Sequence, residues 1–166
     1  MAIFDELLTD WRYVREGTIA EIENLPAAKF EQTPAGLPRT GLDLANHIVE
    51  VARMMVGELT REAGDFQRKG YFELIAEHAQ KGDVGRSKRE VLDLLKRSHA
   101  EGEASLRAAG AERMAEPIRQ FNGEYASRLS WLHHGIAHEE YHRGQLAIYA
   151  RLYGEKPALT KLIEGV

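Results

Sequence analysis

At 166 residues, 43% of them hydrophobic, the chain is the size of one ordinary domain and can build a core without a covalent or metal staple. Its 22 Lys and Arg against 26 Asp and Glu give a net charge of −4 with no basic stripe, which excludes nucleic acid as the main partner. There is no cysteine, so disulfides and thiolate ligands are excluded and any bound metal must be held by nitrogen or oxygen.

Phe4, Leu7, Leu8, Trp11, Val14, Ile22 and Leu25 recur at spacings of three and four, which predicts a first helix over about 3–24, ended by Pro26. Residues 26–38, with three prolines and a glycine, read as a long loop. Thr40-Gly41-Leu42-Asp43 resembles a capping box with Asp43 in place of glutamate and opens a second helix. The stripe of that helix is Leu44, His47, Ile48, Val51, Met55 and Leu59, so His47 falls among its core-facing positions. Residues 61–85 are charged and punctuated by glycine, and Tyr71, Phe72, Leu74 and Ile75 suggest a short helical or irregular cover. Ser87-Lys88-Arg89-Glu90 is a second capping box, ahead of a helix with the stripe Val91, Leu94, Leu95, Ser98, Gly102, Ser105 and Leu106. A connection over about 110–122, containing Pro117, leads to a last helix over about 127–153. That helix carries Trp131, His134, Gly135, His138, His142, Gln145, Tyr149 and Leu152 on one face and is stopped by Gly154 and Pro157. The pattern is all-α, a four-helix bundle of one domain over 1–166 with no period-2 strand and no internal repeat. The N-terminus has no basic stretch leading into an apolar one, and no apolar run approaches the ~20 residues of a membrane span, so a soluble cytoplasmic protein without a membrane partner is expected.

Four of the seven histidines lie within residues 133–142. On a helix His138 and His142 are one turn apart on one face and can point at a single ion. His47, on another apolar stripe, is the candidate third ligand. A buried imidazole without a partner costs roughly 1–3 kcal/mol, which favours an ion over three unrelated core histidines. Three protein nitrogens would leave coordination positions open, the pattern of a catalytic rather than a structural site. His134 is expected to support the ligands from behind. Glu50 and Gln145, each about one turn from a ligand, either orient ligands or bind substrate, or are ordinary helix polarity. His78, His99 and His133 read as structural or solvated.

Two other metal patterns fit the letters less well. His138-Glu139-Glu140-Tyr141-His142 satisfies H-E-x-x-H, in which Glu139 would be the general base of a zinc hydrolase. Only 24 residues follow it, with Glu155 and Glu164 as candidate further ligands, and no strand precedes it to hold a peptide. A di-iron carboxylate bundle needs a second E-x-x-H, and Leu44 stands where the glutamate before His47 would be. No phosphate loop or G-x-S-x-G turn is present.

With His47 upstream, His138-x-x-x-His142-Arg143-Gly144-Gln145-Leu146 in the last helix, and Tyr149 and Gly154-Glu155-Lys156-Pro157 after it, the chain resembles the DinB/YfiT-like family. The resemblance implies a four-helix bundle, commonly a homodimer, in which His47, His138 and His142 bind nickel, zinc or another divalent ion. It also implies a small-molecule substrate, because relatives include metal-dependent transferases and an isomerase that use low-molecular-weight thiols such as bacillithiol or mycothiol. The expected function is a metal-dependent enzyme that activates a thiol or water, of thiol S-transferase or hydrolase type. The alternatives are a non-catalytic metal-binding or interaction protein and the H-E-x-x-H hydrolase. Arg143 reads as a solvated or interhelical arginine rather than a contact for an anionic cofactor group.

Overall fold

Helix α1 (Ala2–Asn24) stops just before Pro26, and Pro26 in turn leads into a single helical turn, α2 (Ala27–Phe30), inside what the sequence suggests is plain loop. The structure, a computed structural model, describes residues 2–79 and 84–165. The expected capping box at α3 (Gly41–Thr60) is formed: Asp43 N–H donates to Thr40 Oγ1 at 2.9 Å, and Thr40 N–H donates to the Asp43 carboxylate at 3.0 Å. The short cover is helix α4 (Tyr71–His78), and α5 spans Lys88–Ala115. At the start of α5, Ser87 accepts from Glu90 N–H as expected, but the Glu90 carboxylate reaches back to the N–H of Arg86, one residue earlier than a closed box requires.

The connection expected over 110–122 is corrected. Helical turns continue to Ala115 across a break at Gly110, whose φ of +81° is open to glycine and strained for other residues. An antiparallel hairpin then follows, β1 (Pro117–Arg119) paired with β2 (Tyr125–Ser127) with Ile118 opposite Ala126, where the sequence shows no strand period. Three residues per strand are too few for alternation to register. Ser127 ends the hairpin and caps α6 (Arg128–Leu152). Gly154 and Pro157 close α6, and Pro157 also opens a short α7 (Ala158–Glu164) that the periodicity does not announce. Three residues expected on apolar stripes are exposed: Ser105, His134, and Leu152 at the frayed end of α6.

The four long helices form the bundle. Helix α3 lies between α5 and α6, and α1 packs across the same two helices from the other side. Their apolar faces divide into two clusters at opposite ends. One holds Leu8, Trp11, Met54, Leu59, Phe66, Leu106 and Trp131; the other holds Ile22, Phe30, Leu44, Ile48, Leu95, Leu146 and Tyr149. Each fully buried aliphatic side chain contributes about 1.5–3 kcal/mol, enough for both clusters to hold a polar layer between them. That middle layer contains Arg15 and Thr18 of α1, Ser98 and His99 of α5, and Glu139 and His142 of α6. Among the described residues no helix is long and apolar enough to cross a membrane.

Candidate metal centre

His47 projects from the middle of α3, and His138 and His142 from successive turns of α6, so neighbouring helices supply all three imidazoles. One potential ligand atom from each lies within 4.8 Å of the other two. The ring centroids are 4.4 Å apart for His138 and His142, 4.9 Å for His47 and His142, and 5.4 Å for His47 and His138. The Nε2 atoms of His138 and His142 are 3.1 Å apart. Nitrogens on a common ion at 2.0–2.1 Å sit about 2.9 Å apart at a right angle and about 3.4 Å apart at the tetrahedral angle, so the observed spacing suits either geometry. The donor set therefore fits a divalent cation.

Charge supports the same use. Burial, His142, Arg39 and His138 lower the pKa of His47 from 6.5 to about 4. Burial, followed by His142 and His134, lowers His138 to about 4. His142 is also lowered, chiefly by burial. Near neutral pH all three rings are uncharged and offer lone pairs. Gln145 Oε1 lies 2.9 Å from His142 Nδ1. An amide oxygen only accepts, so Nδ1 carries the proton and Nε2 presents its lone pair toward the site. This contact is the one an orienting residue would make. Glu50 lines the site with its carboxyl pushed up by burial, although Arg39 opposes the shift.

Two clefts flank the imidazoles. One, of about 480 Å³, is lined by Leu37, Arg39, Tyr141, His142, Gln145 and Ile148. The other, of about 490 Å³, is lined by Arg39, Asn46, His47, Glu50, Tyr71 and Phe72. Small molecules can thus approach the open side of the centre.

The residues around the centre correct other expectations. His134 is exposed, and its ring stacks on Trp131 with centroids 4.5 Å apart instead of bracing a ligand. Glu139 does not face the imidazoles as a free base. Both of its oxygens lie in the core, taking a bidentate pair from Arg15 at 2.7 and 2.9 Å and a further bond from Trp11 Nε1 at 3.2 Å. That engagement removes the general base the H-E-x-x-H reading requires. Its partner Arg15 also donates to the Leu95 carbonyl, and sequence reasoning missed this ion pair because Arg15 and Glu139 are 124 positions apart. Arg143 is interhelical, paired with Glu140 at 2.8 Å and seated against Gly17 and Tyr13. His99 is buried against Trp11, with a pKa lowered to about 4, chiefly by burial.

A second ligand-type cluster, which the sequence does not suggest, joins α3 to α4. Glu58, Glu77 and His78 bring their donor atoms within 4.8 Å of one another. Arg68 binds Glu58 at 2.5 Å and Glu77 at 2.6 Å, Lys69 binds Glu77 at 2.6 Å, and His78 Nε2 lies 2.7 Å from Glu58. These carboxylates are already neutralised.

Comparison with known proteins agrees with this architecture. Residues 10–146 match the family model of the DinB superfamily. The chain belongs to the DinB superfamily. Among solved structures, a DinB-like protein from Bacillus subtilis, YjoA, superposes with a TM-score of 0.68 at 17% identity, over 91% of this chain and 93% of that one. YfiT from the same organism, described as a probable metal-dependent hydrolase with an unusual four-helix bundle topology, gives 0.68 at 15% identity over 92% and 88%. A mycothiol-dependent maleylpyruvate isomerase gives 0.61 at 16% identity, over 86% of this chain but 60% of the isomerase. These similarities establish the DinB fold. No functionally curated protein matches the chain.

Proposed function

We propose that this DinB protein is a divalent-metal enzyme in which His47, His138 and His142 hold nickel or zinc, and that it acts on a small molecule as a thiol S-transferase or hydrolase. The observation that carries the reading is the convergence of three neutral imidazoles beside two open clefts. When bound, the ion supplies Lewis acidity, which lowers the pKa of a thiol or water enough to make a nucleophile near neutral pH. The chain's own residues prepare for that use. Gln145 fixes the His142 tautomer. Tyr141, Ile148 and Leu37 give one cleft an apolar wall able to exclude bulk water from a seated substrate. Arg15 holds Glu139 and so fixes the rotation of α6 that aims His138 and His142.

The fold shared with YfiT supports the hydrolase branch, and the fold shared with the mycothiol-dependent isomerase supports the thiol branch. A closed, non-catalytic tie between α3 and α6 would need no access, whereas here a cleft reaches His47 from one side and another reaches His142 from the other.

The test loads the protein with cobalt(II) and follows its absorption bands as a small thiol is added. New sulfur-to-cobalt bands, followed by conjugation of an added electrophile, are expected for the transferase. Unchanged bands together with ester or amide hydrolysis indicate the hydrolase. Stoichiometric metal retained in all of His47→Ala, His138→Ala and His142→Ala overturns the site itself.

A further inference from the structure

Other arginines in the middle and lower bundle have carboxylate or carbonyl partners: Arg15 with Glu139, Arg143 with Glu140, Arg68 with Glu58 and Glu77, Arg107 with Glu103 and Asp5, and Arg128 with the carbonyls that end α3. Arg39 differs. Among the described residues no carboxylate pairs with its guanidinium, although the chain is acidic overall. Its backbone is nonetheless fixed. Tyr149 Oη donates to the Arg39 carbonyl at 3.0 Å, and the next residue, Thr40, is locked into the α3 capping box. On a fixed backbone at the rim of two clefts, an exposed guanidinium with no carboxylate partner among the described residues is free to take one, and its planar fork matches a carboxylate bidentately.

Its position gives that contact a purpose. Arg39 lines both clefts, the one that reaches His142 and the one that reaches His47. Its positive charge is also felt at all three imidazoles, where it disfavours their protonation. The two clefts differ in sign. The His47 cleft also contains Asp43 and Glu50, whose carboxylates oppose an anion there. The His142 cleft contains no carboxylate, and beyond Arg39, His142 and Gln145 its lining is Leu37, Pro38, Ile148 and two tyrosines. One cation at the edge of an apolar trough beside a candidate metal ligand selects for one anionic group on an apolar body.

We propose that Arg39 anchors a carboxylate on the ligand of this site, and that the ligand's apolar portion lies in the cleft between residues 37–39 and α6. The proposal rests on the metal-enzyme reading only for the reaction that follows; the anion contact needs no metal. The carboxylate can belong either to a thiol cofactor or to the second substrate.

Calorimetric titration of 3-phenylpropionate and the neutral 3-phenylpropionamide into metal-free protein at low ionic strength tests the anchor. The acid should bind about fivefold more tightly than the amide, the scale of a partly screened charge-assisted contact, and the advantage should shrink as salt is added. Arg39→Gln should equalise the two, and Arg39→Lys should restore part of the preference. Equal binding of acid and amide by the unmodified protein, or an acid preference that survives in Arg39→Gln, overturns the proposal. In zinc-loaded protein, an Arg39-dependent advantage of 3-mercaptopropionate over 1-propanethiol supports the anchor and assigns the carboxylate to the thiol. An advantage confined to 3-phenylpropionate supports it and assigns the carboxylate to the other substrate. Failure to take up zinc, with the acid preference intact in metal-free protein, would defeat the metal-enzyme reading and leave Arg39 as an anion contact.

Discussion

Helix α3 carries two clusters of metal-type ligands about three turns apart, one around His47 and one around Glu58, and each brings three donor groups within 4.8 Å. At Glu58 two carboxylates meet Arg68 and Lys69, with Arg61 3.4 Å from Glu77, so the cationic charge an ion would bring is already present. Burial alone would raise the Glu58 pKa; hydrogen bonds from His78 and Arg68 outweigh it and hold the carboxyl down at about 2. At His47 three uncharged rings face one another, and among the described residues no cationic side chain is bonded to them. Ligand type and spacing alone do not separate the two clusters, whereas charge saturation does. One is a latch between α3 and α4; the other is the seat proposed for a cation.

That contrast can be broken by metal content first. One divalent ion per chain is expected, falling nearly to zero in His47→Ala or His142→Ala and unchanged in Glu77→Ala, read by elemental analysis after dialysis. Metal lost from Glu77→Ala and kept in His47→Ala would reverse the assignment. The next largest effect is on stability. Glu58→Ala leaves Arg68 and His78 facing a gap and should cost about 3–5 kcal/mol in urea unfolding of metal-free protein, the scale for breaking a buried ion pair. His47→Ala at the open seat should cost less than about 1 kcal/mol in the same assay. A smaller change, roughly 10- to 100-fold in metal affinity, is expected for Gln145→Ala, which frees the His142 tautomer without removing a ligand. Competition with a chelator measures it, and unchanged affinity would reduce Gln145 to helix polarity.

The finest test is pH. His47, His138 and His99 titrate near 4 in the folded chain and near 6.5 when unfolded, so between those values the unfolded chain binds more protons. Metal-free stability is therefore full above about 6.5 and falls as pH drops toward 4. Glu58 works in a lower window. Its carboxyl is depressed from 4.5 to about 2, so its contribution is present above 4.5 and lost as pH falls through 2. Melting temperature against pH should fall in two stages, with His99→Gln flattening the upper and Glu58→Gln the lower.

Much of this was legible in the letters where local rules act. Thr40 with Asp43, Ser87, and the apolar stripes place the long helices, and the phase of those stripes brings His47 toward His138 and His142. The hairpin at 117–127 escapes because its strands are three residues long, and the helical turns at 111–115 escape because Gly110, where the connection is read to begin, only breaks the helix and does not end it. Glu139 misleads for a different reason. The H-E-x-x-H letters describe its own helix, while its partner Arg15 comes from the other end of the chain. The place of Arg39 is invisible in sequence because only the folded chain sets it on two clefts at once.

His138 and Glu139 are consecutive, yet one turns to the open seat and the other is gripped by Arg15 and Trp11. The grip works as a keyway: the last long helix cannot roll about its axis without tearing two bonds from a guanidinium. On the proposed function a cation would therefore arrive, leave or be exchanged for another on a frame that stands without it, and a change of metal would alter reactivity while leaving the architecture unmoved.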